Sequence, residues 1–195
     1  MELKHDRVYA ILSRTLMRGL PNLAIAGGDA AGVVRSRVRP ASVAHAFVNF
    51  PEPPHRSGDE DSDAHHLLND DFLRDLGVAL VDNGRLTIFS DNRRYLYTLA
   101  RSLAKLRAAP RKRKRATAPT VDASAPLLYR SVVLPPSCTN VTCTEDIGGV
   151  TVYHGVPGVE SGHLVGASSY FDRFWQAGQF VERYFLLLER PPAEK

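Results

Sequence analysis

Apolar residues recur at helical spacing in three stretches of the chain. Between residues 5 and 19 they fall at Val8, Ile11, Leu12 and Leu16, and a Gly-Leu-Pro stop follows. A second stretch begins after Asn69, which is typical of a helix N-cap, and a third follows residues 90–92. We therefore predict three amphipathic helices.

Short apolar runs between these helices have the composition of strands. They lie at residues 23–26, 42–50, 85–90 and 180–190, with weaker pieces at 129–134 and 149–153. The order helix, strand, strand, helix, strand, helix with short connections predicts an α/β fold with a largely parallel sheet. Ligands of such sheets bind beyond the carboxyl ends of the strands. We therefore expect the acids that follow the strands, Asp29, Glu52 and Asp91, to line one rim.

The stretch FVNFPEPPHR at residues 47–56 runs a strand directly into a proline-rich loop. Prolines fix φ and remove backbone donors, so neither strand nor helix can continue there. The pattern predicts a stiff loop that holds one acid, Glu52, in place. The adjacent pair His65 and His66 resembles metal ligands, but without convergent partners we expect both on the surface.

Charge is distributed unevenly along the 195 residues. Residues 92–121 hold ten cationic side chains and no acidic one, although the whole chain has a net charge of only +4. Such asymmetry indicates nucleic acid contact, a nuclear-localisation tract or a solvated loop. The apolar content of 44% fits one globular domain. Within it we expect a core at 1–107, a basic disordered insertion at 108–126 and a C-terminal part at 127–195.

Targeting signals and cysteine pairs are not apparent in the sequence. We see no apolar run long enough for a membrane helix and no signal peptide, so the expected location is the nucleus, or otherwise the cytoplasm. Cys138 and Cys143 have no second pair with which to form a zinc site, and we expect two ordinary thiols and no metal.

Six blocks, in order, resemble the tRNA (guanine-N7) methyltransferase family. They are MELK at 1–4, PNLAIAGGDA at 21–30, FVNFPEPPHR at 47–56, NGRLTIFSDN at 83–92, SYFD at 169–172 and YFLLLER at 184–190. The resemblance implies a Rossmann-like class I methyltransferase sheet, S-adenosylmethionine as cofactor and tRNA as substrate. Eukaryotic members work with a WD-repeat subunit, which is therefore an implied partner.

The resemblance also implies a role for particular residues. Glu52 takes the place of the catalytic-loop acid. The implied cofactor-binding residues are Glu2, Leu3, Asp29, Ala30 and Asn49. The implied substrate-binding residues are His55, Arg56, Asp91, Ser169 and Asp172. Simpler interpretations are that Asp91 is a helix N-cap, Asp29 a turn acid, and Ser169 with Asp172 a capping pair.

Several positions depart from the family pattern. Glu52 stands where the family has Asp, Pro54 stands where bacterial members have Trp, and the loop after Arg56 is acidic rather than basic. The family's first strand and Gly-rich cofactor loop are absent from the sequence. We expect Met1 to be an internal methionine of a truncated sequence, with a non-catalytic RNA-binding or scaffold relative as the alternative.

Overall fold

The computed structural model describes residues 1, 4–54, 66–107, 126–136, 138, 141–158 and 182–192. Four helices and six strands occur in this part of the chain. The helices are α1 (His5–Met17), α2 (Ala30–Arg37), α3 (Asp70–Ala79) and α4 (Arg93–Leu103). The strands are β1 (Val43–Asn49), β2 (Leu80–Ser90), β3 (Arg130–Ser131), β4 (Val141–Ile147), β5 (Val150–Gly155) and β6 (Tyr184–Glu189).

All six strands form one mixed sheet. The order is β1-β2-β6-β5-β4, and β3 pairs with the end of β6. Only β1 and β2 pair in parallel among the described strands, since β6 runs antiparallel to both β2 and β5. The α/β fold class is confirmed, but the expectation of a largely parallel sheet was wrong. The expectation did not foresee that β6, although late in the sequence, lies between β2 and β5 and runs antiparallel to both.

Helices α3 and α4 form where their caps and apolar stripes predict them. The side chain of Asn69 accepts a hydrogen bond from the Phe72 backbone N–H at 2.9 Å and begins α3. The apolar side of α4 is fully buried, as expected for an amphipathic helix on a sheet. Both helices pack against the same face of β2 and β6, where Leu86, Ile88, Leu186 and Leu188 are completely buried.

Residues 82–84 lie inside β2 as a bulge, and β2 begins at Leu80 rather than at the predicted residue 85. Val43 pairs with Leu80 and His45 with Arg85, so residues 81–84 of β2 lie opposite a single residue of β1. Asn83 has φ of 60° at the centre of this excursion. The bulge shifts the register and lets β2 continue to Ser90 alongside β1.

The ends of the basic segment 108–126 meet in space. Arg107 and Leu127 form an isolated antiparallel bridge, and the Leu128 N–H donates to the Leu106 carbonyl oxygen at 3.0 Å. Most of the segment lies outside the described residues, and the boundaries at 107 and 126 stay predictions. The closed ends are compatible with an insertion that leaves the sheet undisturbed.

Two local expectations fail near the start of the chain. Residues 23–26 form no strand, and only the following Gly27 takes part in a single bridge. The apolar stripe of α1 is largely exposed, with Leu16 72% and Leu12 38% accessible, while Val8 packs against Gly27. Spacing alone therefore predicted the helix but not the face that it buries. No helix in the described ranges is both long and apolar enough to cross a membrane.

Candidate functional site

The candidate site lies at the edge of the sheet where β1 and β2 end. Because the two strands are parallel, with Asn49 opposite Phe89, their exits leave the sheet side by side. Strand β6 begins at the same edge, since Ser90 pairs with Tyr184. The carboxyl end of β5 joins it through the pairing of His154 with Tyr184. Four strands thus contribute residues to one rim.

The loop after β1 leaves this edge through a strained residue. Phe50 has φ of 49°, a left-handed conformation that side chains other than Gly rarely adopt. Its N–H donates to the Phe89 carbonyl oxygen at 2.7 Å, and the two rings meet edge to face at 5.0 Å. These contacts hold the chain in the turn that sends residues 51–54 away from the sheet. Asn49 and Glu52 both expose their side chains there.

His66 ties the Glu52 loop to the core, a role that the sequence did not indicate. Its Nε2 lies 2.7 Å from the Glu52 carbonyl oxygen and 2.7 Å from the Tyr95 hydroxyl of α4. A carbonyl can only accept, so this nitrogen must carry its one hydrogen and donate it, shared between the Glu52 carbonyl oxygen and the Tyr95 hydroxyl oxygen. Tyr95 is buried, and burial raises the pKa of its hydroxyl well above the ordinary value of 10.0. The loop is therefore anchored through a neutral phenol in the core.

The interpretation of His66 as a plain surface residue was wrong. The residue is half-buried, its ring meets the Tyr95 ring edge to face at 5.2 Å, and Asn69 Nδ2 donates to its carbonyl oxygen at 2.9 Å. The partner lies 29 residues away along the chain, so no local pattern could show this contact.

Asp91 follows β2 at this edge and is not a helix cap. The cap of α4 is Asn92, whose Oδ1 accepts from the Tyr95 N–H at 3.0 Å. Ser90 is buried, and its hydroxyl accepts from the Asn92 N–H at 3.0 Å. Among the described residues, the Asp91 carboxylate makes no hydrogen bond or ion pair. The simpler interpretation of Asp91 as an N-cap was wrong, and its carboxylate is available to a ligand.

Asp29 belongs to the start of α2. Its Oδ2 accepts from the Gly32 N–H at 2.8 Å, so it is an N-cap rather than only a turn acid. Ala30 is half-buried against the core. The connection from α2 reaches β1 beside the end of α3, where Ala41 and Ser42 donate to the carbonyl oxygens of residues 78 and 79. The connection that follows α2 therefore lies beside the end of α3.

The parallel pairing of β1 and β2 brings three of the predicted positions, Asn49, Glu52 and Asp91, to this edge, and Asp29 caps the start of α2. Six other predicted site residues lie outside the described residues: Glu2, Leu3, His55, Arg56, Ser169 and Asp172. Their roles stay predictions. The arrangement offers exposed carboxylates and an amide that can accept hydrogen bonds from the N–H groups of a ligand or stabilise a positive charge.

Metal ligands do not cluster in the parts of the chain that the structure covers. No three His, Cys, Asp or Glu side chains there could hold an ion together. Cys138 is half-buried and Cys143 exposed, and neither of the two is in a disulfide bond.

Comparison with known proteins assigns a family. Residues 1–125 match the model of a family described as "Putative methyltransferase". The chain is 34% identical over 100 residues to the tRNA (guanine-N(7)-)-methyltransferase of Chlamydia muridarum. It is 31% and 30% identical over 96 residues to the enzymes of the same name from Chlamydia caviae and Chlamydia abortus.

Each of these matches covers 49% of this chain and 42% of the relative. The aligned part is thus less than half the length of the curated relatives. The family model alone spans well over half of the 195 residues, and it includes β1, β2 and both helices that flank the edge. The resemblance drawn from the sequence blocks is confirmed, and the chain belongs to this methyltransferase family.

Proposed function

We propose that the chain acts as an S-adenosylmethionine-dependent tRNA (guanine-N7) methyltransferase. The relatives that it resembles carry that name. The observation that carries the proposal is the parallel pairing of β1 and β2, which puts the Glu52 loop and the unpaired Asp91 carboxylate at one edge. Asp29 caps the start of α2, the helix that precedes β1 in the chain.

The proposed reaction suits a site with few catalytic groups. Guanine N7 exposes a lone pair and carries no proton, so no general base is needed to create the nucleophile. The protein must align N7 with the methyl group that is transferred. It must also stabilise the positive charge that the purine gains, which the exposed Glu52 or the half-buried Asp91 can do. His66 and Tyr95 would keep Glu52 in position while the base binds.

The described residues fit the cofactor at the start of α2 and the end of β1. Asp29 offers a carboxylate, of which the cap uses one oxygen, and Asn49 offers an exposed amide. Both groups can bind the N–H groups and ring nitrogens of adenine. Bound S-adenosylmethionine supplies an electrophilic methyl group on a sulfonium. Glu2 and Leu3 complete the proposed cofactor set.

The tRNA would be bound by Asp91 at the target guanine and by cations around it. His55 and Arg56 follow the Glu52 loop in sequence, and residues 111–115 form the tract RKRKR. Phosphate contacts by such residues position the RNA and make binding sensitive to salt. Ser169 and Asp172 complete the proposed substrate set.

Transfer of tritiated methyl groups from S-adenosylmethionine to tRNA transcripts tests the proposal, with 7-methylguanosine identified by mass spectrometry. Glu52→Gln should lower kcat/KM by about 10²-fold, since it removes a charge that stabilises the transition state. Glu52→Asp, which restores the family's acid, should retain activity. Glu145→Gln removes an exposed acid from β4 at the other side of the sheet and should behave as the unchanged protein.

A folded sample that gives no heat on calorimetric titration with S-adenosylhomocysteine, and no methyl transfer, would refute the enzyme proposal. If that sample still bound tRNA, the alternative of a non-catalytic RNA-binding or scaffold relative would hold instead. The two outcomes are separated by measuring cofactor and RNA binding on the same preparation.

A WD-repeat subunit and a nuclear location complete the proposal. The partner is supported by the family resemblance and the location by the basic tract at 111–115. A fluorescent fusion should lose nuclear enrichment when the five basic residues are replaced by serine. Affinity purification from the source cells should recover a propeller protein, and the absence of one would remove the partner.

A further inference from the structure

A second group of side chains lies at the same edge, next to Asp91. Arg93 opens α4, and Tyr97 lies one turn further along the helix. Tyr184 opens β6 beneath them and is paired with Ser90, while His154 of β5 is paired with Tyr184. The group therefore continues the rim from Asp91 toward β5.

The Arg93 guanidinium is held in one place although it is exposed to solvent. Its Nη2 donates to the Tyr97 hydroxyl at 3.3 Å, and its Cζ lies 5.2 Å from the centroid of the Tyr97 ring. The Tyr184 ring lies 6.0 Å away. Both rings are at distances where an aromatic face attracts a cation.

The aromatic support is itself rigid. Tyr184 is only 4% exposed, its hydroxyl donates to the Glu182 carboxylate, and its ring lies 5.0 Å from the His154 ring. Arg93 therefore lies beside a buried ring whose hydroxyl and face are already in contact with neighbouring side chains. A guanidinium with this support loses less side-chain entropy when it binds an anion than a free arginine does.

The donors of Arg93 remain largely unused. A guanidinium has five N–H groups, and Tyr97 engages one nitrogen. No carboxylate forms an ion pair with Arg93 in the part of the chain that the structure describes. A planar fork of free donors matches two oxygens of a phosphate.

The charge of the surrounding sequence points to a polyanion. Arg93 is the first of the ten cations in residues 92–121, and Arg94, Arg101 and Lys105 of this stretch are exposed. These cations begin in the sequence shortly after Asp91, the acid proposed to bind the base. An RNA is the polyanion that would contact both, Asp91 with a base and the cations with its phosphate backbone.

We propose that Arg93, held by Tyr97 and Tyr184, binds a backbone phosphate of the RNA whose guanine lies at Glu52 and Asp91. This proposal rests on the proposed function for the identity of the RNA. Arg93 fixes the position of the RNA strand along the edge of the sheet, and Asp91 binds the neighbouring base.

Binding of a tRNA transcript to the full chain, measured over a range of salt concentrations, tests the role of Arg93. Arg93→Ala should weaken binding about tenfold and lower the slope of log K against log salt by about one. Arg93→Lys keeps the charge and should keep the slope, yet bind more weakly because the ammonium has no planar fork. Tyr97→Phe keeps the ring and should weaken binding only about two- to threefold.

Arg37→Ala is the matched control. Arg37 is an exposed arginine in the last turn of α2, toward the opposite edge of the sheet, and its removal changes the net charge equally. An Arg93→Ala variant that binds no more weakly than Arg37→Ala at every salt concentration would overturn the proposal. Circular dichroism of each variant confirms that it is folded.

The outcomes separate this proposal from the proposed function. If the unchanged protein binds tRNA but transfers no methyl group, the enzyme proposal fails and the Arg93 comparison still decides the phosphate contact. If methyl transfer occurs and Arg93→Ala matches the control, only the contact fails. A folded protein that binds no RNA refutes both.

Discussion

Replacing His66 with alanine should free the Glu52 loop while leaving the fold intact. The substitution removes the hydrogen bonds of Nε2 to the Glu52 carbonyl oxygen and the Tyr95 hydroxyl, both at 2.7 Å. Because one N–H is shared between the two oxygens, its net contribution to holding the loop is about 1 kcal/mol. The equilibrium constant for the ordered loop should therefore fall about fivefold, and kcat/KM for methyl transfer should fall by up to that factor.

A double-mutant cycle with Glu52→Gln tests whether His66 acts through Glu52. Once the carboxylate is gone, loss of the loop contact should cost little further activity, so the two effects should not be additive. His66→Gln, which can still donate to the Glu52 carbonyl, should recover part of the activity. His5→Ala, at an exposed position that opens α1, is the control and should have no effect.

Additive losses in that cycle would refute the reasoning, because they would mean that His66 and Glu52 contribute independently. So would a His66→Ala variant with full activity and a folded structure. Thermal unfolding monitored by circular dichroism separates a local effect from a global one, since 1 kcal/mol corresponds to a shift of about 2–4 °C for a domain of this size.

Three further predictions concern stability and the edge residues. Gly84→Ala should destabilise the fold by about 3 kcal/mol in urea unfolding, because the added Cβ would lie 2.8–3.1 Å from backbone atoms. Gly32→Ala, at an exposed position in α2, should stabilise the protein by about 0.5–1 kcal/mol, because alanine favours the helix more than glycine does. Asn92→Ala should cost about 1 kcal/mol of stability as the lost cap of α4, whereas Asp91→Asn should leave the melting temperature unchanged and abolish methyl transfer. Burial raises the pKa of Tyr129 above its ordinary value of 10.0, so the unfolded chain releases this proton at a lower pH than the folded protein does. The contribution of Tyr129 to the free energy of unfolding should therefore be constant below about pH 10 and fall above it. Urea unfolding midpoints measured between about pH 8 and 11 test this.

The sequence predicted best where local signals coincide. At α3 and α4 a polar residue in a capping position is followed by apolar residues at helical spacing, and both helices begin within a residue or two of the predicted start. The exits of β1 and β2 followed from the same reasoning, because a strand followed by prolines or by a cap can end only there. Asp91 shows the limit of this approach, since only the coordinates assign the cap to its neighbour Asn92.

Contacts between residues that are far apart in the sequence could not be predicted from local sequence patterns. Strand β4 alternates too weakly to predict, since Val141–Ile147 holds four polar residues, and it pairs only with β5. The antiparallel placement of β6 depends on a partner about one hundred residues earlier, with Arg85 opposite Glu189. The anchoring of Glu52 by His66 has the same origin, because it depends on Tyr95 reaching the loop through the fold.

The position of β6 between β2 and β5 has a consequence for biosynthesis. Of the described strands it is made last, yet it supplies both neighbours with backbone partners at the middle of the sheet. After β1, β2 and β5 have left the ribosome, β2 and β5 each still have one edge without the backbone partner that β6 will supply. Chaperone occupancy should therefore be highest in the interval before residues 184–189 emerge, and amino acid changes that slow the docking of this strand should promote aggregation more than changes in α1 do.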